Sequence, residues 1–364
     1  MSRVTRATVD LTALQSNLAT ARAAAPGSQL LAVLKADAYG HGLLPAAGAL
    51  AEADGFAVSC LGEAQPLRRA GYRHRIVLLE GFFDADEIEA FVADALDPVI
   101  HAHWQLDLLA AHPPSRPLDV WIKVDSGMHR LGFQPHELDP VRERLASLAG
   151  VSGVRFLTHL ACADDRDDDT TNDQLRTFDN AVPGTSGERS IANSAATLGW
   201  PTAHADWVRP GIMLYGCSPF ADTGSAPDLR PALTLEARLI AVQEHSAGAR
   251  IGYGGTFVCP ERMPVGIVSI GYGDGYPRRA PNGTPVLVNG VRCGLAGRVS
   301  MDMINVDLRN APQARPGDRV VLWGADQLRA EEVAAHCQTI SYELLCQITD
   351  RVSFHYSRGL DATG

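Results

Sequence analysis

Short apolar segments alternate with amphipathic stretches between residues 29 and 216, and this alternation constrains the fold more than any other feature of the sequence. Eight of the apolar segments are rich in β-branched residues, which is typical of strands buried on both faces. They cover residues 29–36, 55–60, 75–81, 97–101, 118–125, 153–161, 188–196 and 207–216. The stretches between them show helical spacing, as in residues 43–54, 84–96 and 136–150.

Strands that alternate with helices predict parallel pairing, because each helix provides the crossover between two neighbouring strands. Eight such units are the number that closes a (β/α)8 barrel of the TIM type. The alternative is an open doubly wound sheet, but no strand is followed by the GxGxxG fingerprint that would support it. We therefore predict an α/β protein whose first domain is a (β/α)8 barrel over residues 9–228.

The composition changes after residue 228, where Gly, Pro and alternating apolar residues dominate. Asn289-Gly290 lies between two apolar runs, a pattern that favours a type I′ hairpin. One helical pattern follows at residues 328–337. We predict a mainly antiparallel β domain over residues 229–364. Residues 1–8 are a candidate additional strand of that domain, because the segment from Arg3 to Val9 is strand-like.

Charge and composition limit the partners of this chain. The net charge is −10 at pH 7, which argues against a surface for nucleic acid or anionic membranes. We expect no secretory leader, because the N-terminal residues contain no apolar stretch of the kind that one needs, and no apolar run in the sequence is long enough to span a membrane. The seven cysteines form no CxxC pair, and the acidic residues 164–173 lack the glycine and final glutamate of an EF-hand. We expect a cytoplasmic protein with no metal site.

Reactive side chains collect where the predicted barrel strands end. The active site of such a barrel lies at the carboxyl ends of its strands, so these side chains are expected to converge. Any barrel has some polar groups at its rim, but here five strands contribute to one set. The set comprises Lys35, Lys123, Asp125, His159, Asn193, Ser194, Arg209 and Gly211.

Lys35 closes the apolar run LLAVLK, so a buried strand delivers its amine to the barrel mouth. Lysine is rarely buried without a partner, and its pKa must fall from about 10.4 before it acts as a nucleophile or base. One interpretation is covalent attachment of a carbonyl cofactor through a Schiff base. The other is a surface lysine that ends a strand, and position alone favours neither.

The residues around Lys35 distinguish the two interpretations. Residues 32–42, AVLKADAYGHG, resemble the pyridoxal-phosphate attachment motif of the alanine racemases. The resemblance extends over essentially the whole chain, through both the barrel and the β domain. It implies a pyridoxal-5′-phosphate-dependent isomerase that interconverts L- and D-alanine, an amino-acid substrate, and a homodimer whose active sites are shared between subunits.

The resemblance also assigns cofactor contacts. Lys35 would carry the cofactor, and Arg209, in VRPGIMLYG, would face the pyridine nitrogen. A guanidinium does not give up its proton, so that nitrogen would stay unprotonated and transamination would be restrained. His159 would support Arg209. The remaining implied cofactor contacts are Tyr39, Asn193, Ser194, Gly211, Ile212 and Tyr342.

Racemisation needs bases on both faces of the α-carbon, because a single group would return the proton to the face it left. By resemblance Lys35 serves one face and Tyr253, in RIGYGGTF, serves the other. The pKa of that tyrosine must fall, for which the charge of Arg130 is a candidate cause. The substrate side is implied to include Arg130 and the Met301 backbone amide, with supporting roles for Lys123 (carbamylated in many members), Tyr272 on the access path and Asp302.

Two positions depart from the family pattern: Ser300 replaces a common cysteine, and Gly255 replaces a common arginine. Three alternatives to alanine racemisation also stand. A racemase of broader or different specificity would share the mechanism, and a decarboxylase of the same barrel class would lack a second base such as Tyr253. A cofactor-carrying barrel without turnover would lack the β domain. The implied product, D-alanine, belongs to peptidoglycan synthesis or to D-alanine catabolism.

Overall fold

Eighteen strands and eleven helical segments are found in the computed structural model, which describes residues 4–183, 187–220, 229–324 and 327–358. The strands are β1 (Arg6–Asp10), β2 (Gln29–Val33), β3 (Gly55–Val58), β4 (Arg75–Leu78), β5 (Asp97–Ile100), β6 (Leu118–Lys123), β7 (Val151–Leu157), β8 (Arg189–Ser190), β9 (Trp207–Val208), β10 (Leu233–His245), β11 (Arg250–Ile251), β12 (Phe257–Val258), β13 (Met263–Val268), β14 (Pro285–Val288), β15 (Val291–Leu295), β16 (Ile304–Asp307), β17 (Arg319–Trp323) and β18 (Ser353–Ser357).

The helical segments are α1 (Leu11–Ala24), α2 (Lys35–Gly40), α3 (Leu43–Ala49), α4 (Leu61–Arg69), α5 (Ala85–Ala93), α6 (His103–Ala111), α7 (Leu138–Ser147), α8 (Thr170–Ala181), α9 (Ser194–Gly199), α10 (Ala330–His336) and α11 (Ser341–Cys346). Short 3₁₀ turns cover Pro135–Glu137, Pro201–Ala203, Ile212–Tyr215, Tyr253–Gly255 and Tyr272–Asp274.

Strands β2 to β9 close into a parallel barrel, as the alternating pattern predicts. The ring closes where β2 pairs with β9, through Gln29 opposite Trp207. Every residue of β3 is buried, and so are the last three residues of β4 and β5, because helices cover the outside while side chains fill the inside. The predicted fold class, a TIM-type barrel followed by an antiparallel β domain, is confirmed.

Several barrel strands end before the apolar segments that predict them do. Strand β2 ends at Val33, β8 covers only Arg189–Ser190, and β9 only Trp207–Val208. The apolar residues beyond these ends are buried in turns, as Ala192 and Ile212 show. A buried turn has the same apolar signature as a buried strand, so the pattern overestimates strand length. The reactive residues therefore lie just beyond the strands, where the chain turns at the mouth.

The second part of the chain forms an eight-stranded sheet in the order β13-β16-β15-β14-β17-β10-β1-β18. The long strand β10 pairs with β1 and β17 near its start and with β13 near its end. The N-terminal strand β1 therefore belongs to this sheet, antiparallel to β10 and parallel to β18. Asn289 and Gly290 both have positive φ between β14 and β15, which confirms the predicted hairpin.

A buried asparagine of α1 forms hydrogen bonds with the chain on both sides of residues 221–228, between the barrel and the β domain. The Asn17 side chain donates to the carbonyls of Leu214 (3.0 Å) and Arg230 (2.8 Å), and it accepts from the Arg230 N–H (2.8 Å). This side chain fixes how the chain leaves the barrel for the β domain. The predicted boundary after residue 228 lies at the end of residues 221–228, which are outside the described residues, and it stays a prediction. In the part that the structure describes, no helix is long and apolar enough to cross a membrane.

Candidate active site

Lys35 opens a left-handed helical turn immediately after β2. Residues Ala36 to Tyr39 all have φ between 52° and 55°, although none is glycine. Such a conformation costs roughly 1–2 kcal/mol per residue, so the surrounding structure must hold it in place. The Glu63 carboxylate accepts the Ala36 N–H at 2.7 Å, and the Asp37 carboxylate accepts the Leu43 N–H at 2.6 Å. The turn brings Lys35 and Tyr39 to the wall of one cavity.

This cavity, of about 480 Å³, lies at the carboxyl ends of the barrel strands. It brings together most of the residues that the sequence singles out, which are Lys35, Tyr39, Lys123, Arg130, His159, Asn193, Ser194, Arg209, Gly211, Ile212 and Tyr342. The chain contains only two lysines, Lys35 and Lys123, and both line this cavity. Seven of the eight residues expected to converge from strand order therefore line the cavity. Asp125 does not, because its carboxylate accepts the N–H groups of Gly127 and His129 in the turn after β6.

Both cavity lysines have pKa values below the usual range. Burial lowers the pKa of Lys35, and the charge of Arg130 lowers it further. Burial also lowers the pKa of Lys123 to about 8, with further contributions from Arg209, Arg130 and Lys35. A buried site with several cations favours the neutral amine, because each additional charge raises the local potential. The neutral amine is the form that attacks a carbonyl group or carbon dioxide.

Arg209 is 5% exposed and is held by groups from the ends of two barrel strands, β7 and β8. Its Nη1 donates to Ser190 Oγ at 2.8 Å, and its Nη2 donates to the Thr158 carbonyl at 2.5 Å. Burial lowers the pKa of Arg209 to about 10, so the guanidinium stays charged at neutral pH. A charged donor thus points towards the cavity from a position fixed by buried partners.

His159 lies beside this guanidinium, with Nδ1 at 3.3 Å from Arg209 Nη2. A guanidinium can only donate, so Nδ1 accepts and the imidazole proton lies on Nε2. Burial and the Arg209 charge keep the pKa of His159 well below its ordinary value. The imidazole is therefore neutral at physiological pH and adds no charge to the cluster.

Hydroxyl groups and a glycine form another part of the cavity wall. Ser194 Oγ accepts the N–H of Gly211 at 2.8 Å, and Asn193 caps α9 by accepting the Ala196 N–H at 3.0 Å. A Cβ atom on Gly211 would lie 2.5 Å from Tyr39 Oη, so a larger residue there would displace the Tyr39 hydroxyl. Tyr342 is also close, with its ring centroid 5.9 Å from that of Tyr39.

The tyrosine hydroxyls in this part of the cavity are neutral donors. Burial raises the pKa of both Tyr39 and Tyr342. The Tyr39 ring stacks on Tyr215 at 4.7 Å, and Tyr215 Oη donates to the Val33 carbonyl at 2.8 Å. The donor set therefore suits an anion such as a phosphate, while the lysines suit a carbonyl group. One ligand that carries both groups fits the cavity.

Four predicted site residues lie elsewhere, in the β domain. Tyr253 is 68% exposed in the turn between β11 and β12, and Met301 is 52% exposed. Tyr272 is also exposed, and Asp302 is ion-paired with Arg351. Among the described residues of a single chain, these four do not line the Lys35 cavity.

Several residues at the cavity have no role assigned from the sequence. Glu80 and Cys346 line it, and Glu63 holds the turn that presents Lys35. Thr158 and Ser190 hold Arg209, and Tyr215 supports Tyr39. No local pattern marks them, because each acts on a residue that is distant in sequence.

Comparison with known proteins gives full-length matches. The family model described as "Alanine racemase, N-terminal domain" matches residues 9–219, and "Alanine racemase, C-terminal domain" matches residues 232–356. The alanine racemase of Halorhodospira halophila is 56% identical over 97% of both chains. The catabolic alanine racemase of Pseudomonas putida is 49% identical over 95% of this chain and 97% of its own.

A solved structure agrees with these sequence matches. The crystal structure of biosynthetic alanine racemase from Pseudomonas aeruginosa is similar with a TM-score of 0.95 and 49% identity. The match covers 98% of this chain and 99% of that one. The similarity therefore includes the barrel, the β domain and their arrangement.

Proposed function

The chain belongs to the alanine racemase family, whose members are isomerases, and we propose that it interconverts L-alanine and D-alanine with pyridoxal 5′-phosphate bound in the barrel cavity. One observation carries the proposal. The only two lysines of the chain line a cavity that also contains a buried arginine and a group of neutral hydroxyl donors. An aldehyde that carries a phosphate and a pyridine ring matches this donor set group by group.

Different parts of the cavity would hold different groups of that cofactor. Lys35 would hold the aldehyde carbon, and the phosphate would be held by Tyr39, Ser194, Gly211, Ile212 and Tyr342, with Asn193 ordering the chain beside them. When bound, the cofactor supplies an electron-withdrawing system that acidifies the α-hydrogen of an attached amino acid.

Arg209 would control how strongly electrons are withdrawn. Its Nη atoms donate hydrogen bonds and, with a pKa of about 10, keep their protons at neutral pH. A pyridine nitrogen that faces this guanidinium gains a donor but no proton. His159 would support the arginine through the 3.3 Å contact of Nδ1. This arrangement would favour proton return at the α-carbon over transamination.

Two bases would handle the α-proton. Lys35 Nζ, whose pKa is lowered by burial and by the charge of Arg130, would exchange the proton on the face used by D-alanine. Tyr253 Oη would hold it on the face used by L-alanine. Tyr253 is exposed in its own chain, so we propose a homodimer in which each β domain completes the partner's barrel site. The Met301 N–H would reach the same site and donate to the substrate carboxylate.

Arg130 and Lys123 would form the substrate side of the cavity. Arg130, at the mouth, would lie near the substrate carboxylate and beside the incoming Tyr253. Lys123, with a pKa of about 8, has enough neutral amine to react with carbon dioxide. A carbamate at Lys123 would turn a cation into an anion that orients Arg130. Tyr272 would lie along the access path, and Asp302 would support the segment that contains Met301.

Two chemical alternatives remain with the same cofactor. A racemase of broader specificity would use the same residues, and a decarboxylase would release carbon dioxide. Similar proteins include one named catabolic and one named biosynthetic, and both roles use D-alanine. We propose a cytoplasmic enzyme that serves either peptidoglycan synthesis or D-alanine catabolism.

Chiral chromatography tests the proposal directly. L-alanine, L-serine and L-lysine are incubated separately with cofactor-loaded protein, and the enantiomers and amines are separated over time. We expect D-alanine to form fastest and to approach an equal mixture with L-alanine. Faster racemisation of serine or lysine would change the substrate, and a decarboxylated amine with no D-enantiomer would refute the two-base mechanism.

A further inference from the structure

A glycine-rich loop, residues 271–275, packs directly against the backbone of Ser300 and Met301. The N–H of Tyr272 donates to the Ser300 carbonyl at 3.1 Å, and the N–H of Gly273 donates to the Met301 carbonyl at 2.9 Å. A Cβ atom on Gly271 would lie 2.3 Å from the Ser300 carbonyl oxygen, so the approach requires glycine. We call residues 271–275 the glycine loop and Ser300–Met301 the donor segment.

This packing sets the direction of one backbone donor. In a planar trans peptide the C=O and the following N–H point in opposite directions. The Ser300 carbonyl points into the glycine loop, so the Met301 N–H points away from it. Met301 is 52% exposed. The donor that the proposed function assigns to the substrate carboxylate is therefore aimed by a contact on the opposite side of its own peptide unit.

Arg351, which precedes β18, bridges the two segments. Its Nη2 lies 2.5 Å from a carboxylate oxygen of Asp302, the residue after the donor segment. Its Nε lies 3.3 Å from a carboxylate oxygen of Asp274, which is fully buried in the glycine loop. A Cβ atom on Gly273 would lie 2.2 Å from Arg351 Nη1, so the guanidinium rests on the loop backbone.

Asp274 and Thr349 complete the network. The other carboxylate oxygen of Asp274 accepts the Gly271 N–H at 2.9 Å. Thr349 Oγ1 donates to the Gly273 carbonyl at 2.9 Å from the segment that carries Arg351. Asp274 therefore holds the loop from within, and Arg351 ties the loop to Asp302.

We propose that Arg351 is a positioning residue for substrate binding: its bridge from Asp274 to Asp302 keeps the Met301 N–H aimed at the substrate carboxylate. This inference rests on the proposed function. Charge-assisted hydrogen bonds have defined geometry and are stronger than neutral ones, so the bridge resists rotation of the 300–302 backbone. Arg351 itself touches neither substrate nor cofactor in this assignment.

Arg351→Met tests the proposal because it removes the charge and retains most of the side-chain length. A carboxylate contact present in both ground and transition states contributes uniform binding. We therefore expect KM for L-alanine to rise about tenfold, the amount expected when one charged hydrogen bond loses its geometry, with kcat changed less than about threefold. Propionate, a carboxylate without an amine, should bind about tenfold more weakly, measured by calorimetry on the holoenzyme.

Arg309→Met is a matched control. Arg309 also pairs with two carboxylates in the β domain, Asp307 at 2.7 Å and Glu261 at 3.1 Å, at a different place. We expect its KM, kcat and propionate affinity to match those of the wild type. Asp302→Asn combined with Arg351→Met should raise KM no more than the larger single effect, because both changes break the same bridge.

Amide hydrogen exchange over residues 297–305 provides a readout that does not depend on activity. Exchange in this segment should be at least about threefold faster in Arg351→Met than in the wild type or Arg309→Met. If the wild type fails to racemise alanine, the proposed function fails while the exchange result still tests the bridge. If the wild type is active and Arg351→Met keeps wild-type KM, propionate affinity and exchange, the positioning role is refuted. A fall in kcat with KM unchanged would also overturn it.

Discussion

Nη2 of Arg209 lies 3.3 Å from Nδ1 of His159, and the geometry makes the arginine the donor and the imidazole the acceptor. The same guanidinium donates to Ser190 and to the Thr158 carbonyl, so the ends of two barrel strands, β8 and β7, hold it in position. A guanidinium that is held this rigidly and keeps its protons should leave a facing pyridine nitrogen unprotonated. The resulting restraint on transamination can be measured.

Substitutions of Arg209 should separate the effect of its charge from the effect of an acidic partner. Arg209→Gln removes the cation, and Arg209→Glu supplies a group that can protonate a pyridine nitrogen. We expect racemisation to fall at least about 100-fold in both, since an oriented charged group is lost. Only Arg209→Glu should form more pyruvate per racemisation event, measured by a coupled assay. Equal pyruvate yields in the two variants would contradict the proposed control of transamination.

Lys35→Ala should abolish the covalent attachment of the cofactor. The expected loss of racemisation is at least about 1,000-fold, because both the attachment point and one base are removed. Lys123→Ala is the matched control, since these are the only lysines of the chain. Borohydride reduction followed by mass spectrometry should place the pyridoxyl group on residue 35 in the wild type and in Lys123→Ala. A label on Lys123 instead would refute the assignment.

Tyr253→Phe should remove the second base without disturbing cofactor binding. Tyr253 is exposed in its own chain, so loss of its hydroxyl should leave the fold and the Lys35 cavity unchanged. We expect racemisation to fall at least about 100-fold, with the absorbance of the bound cofactor retained. Loss of the α-deuterium from labelled L-alanine should slow more than loss from D-alanine. Equal slowing of both would remove Tyr253 from the L-face.

A mixture of two inactive variants tests the shared active site. In a hybrid dimer of Lys35→Ala and Tyr253→Phe, one site contains Lys35 from one subunit and Tyr253 from the other. Random exchange of subunits should restore about one quarter of wild-type activity, since half of the dimers are hybrids with one intact site each. As controls, the activity of each variant is measured alone and after the same subunit exchange with itself. No recovery, with hybrid dimers verified by mass, would show that Tyr253 acts within its own chain.

The pH dependence of Lys123 acylation should report its lowered pKa. Burial first, and then neighbouring cations, lower that pKa to about 8, so the amine becomes neutral at a lower pH than in an unfolded chain. Below this pKa the neutral fraction rises about tenfold per pH unit. In cofactor-free protein we expect acylation of Lys123 to reach half its maximal rate near pH 8, read by peptide mass spectrometry. A midpoint near the ordinary lysine value of about 10.4 would contradict the burial argument.

Much of the cavity could be predicted from the sequence because its residues sit next to recognisable strands. Lys35, Lys123, His159 and Arg209 follow apolar segments whose order around a barrel is set by chain order. The parallel sheet then requires the ends of these segments to converge. For this reason the order of the segments predicts both the fold class and the end of the barrel at which the site lies.

Other parts of the site depend on contacts between residues that are distant in the chain. The left-handed turn at Ala36–Tyr39 contains no glycine, and it is held by Glu63 from another helix. No local propensity predicts that conformation, because residues of this kind normally avoid positive φ. The apolar residues after β8 and β9 likewise have the pattern of strands, although they are buried in turns.

The sequence by itself determined the alternation of strands and helices, the change to an antiparallel domain, and the residue types at the barrel mouth. These follow from periodicity and from residue chemistry, which are local properties of the chain. Only the tertiary structure decided the lowered pKa of Lys123, the donor geometry of Arg209 and the bridge of Arg351 between Asp274 and Asp302. Those properties arise from burial and from distances between remote residues, and neither exists until the chain is folded.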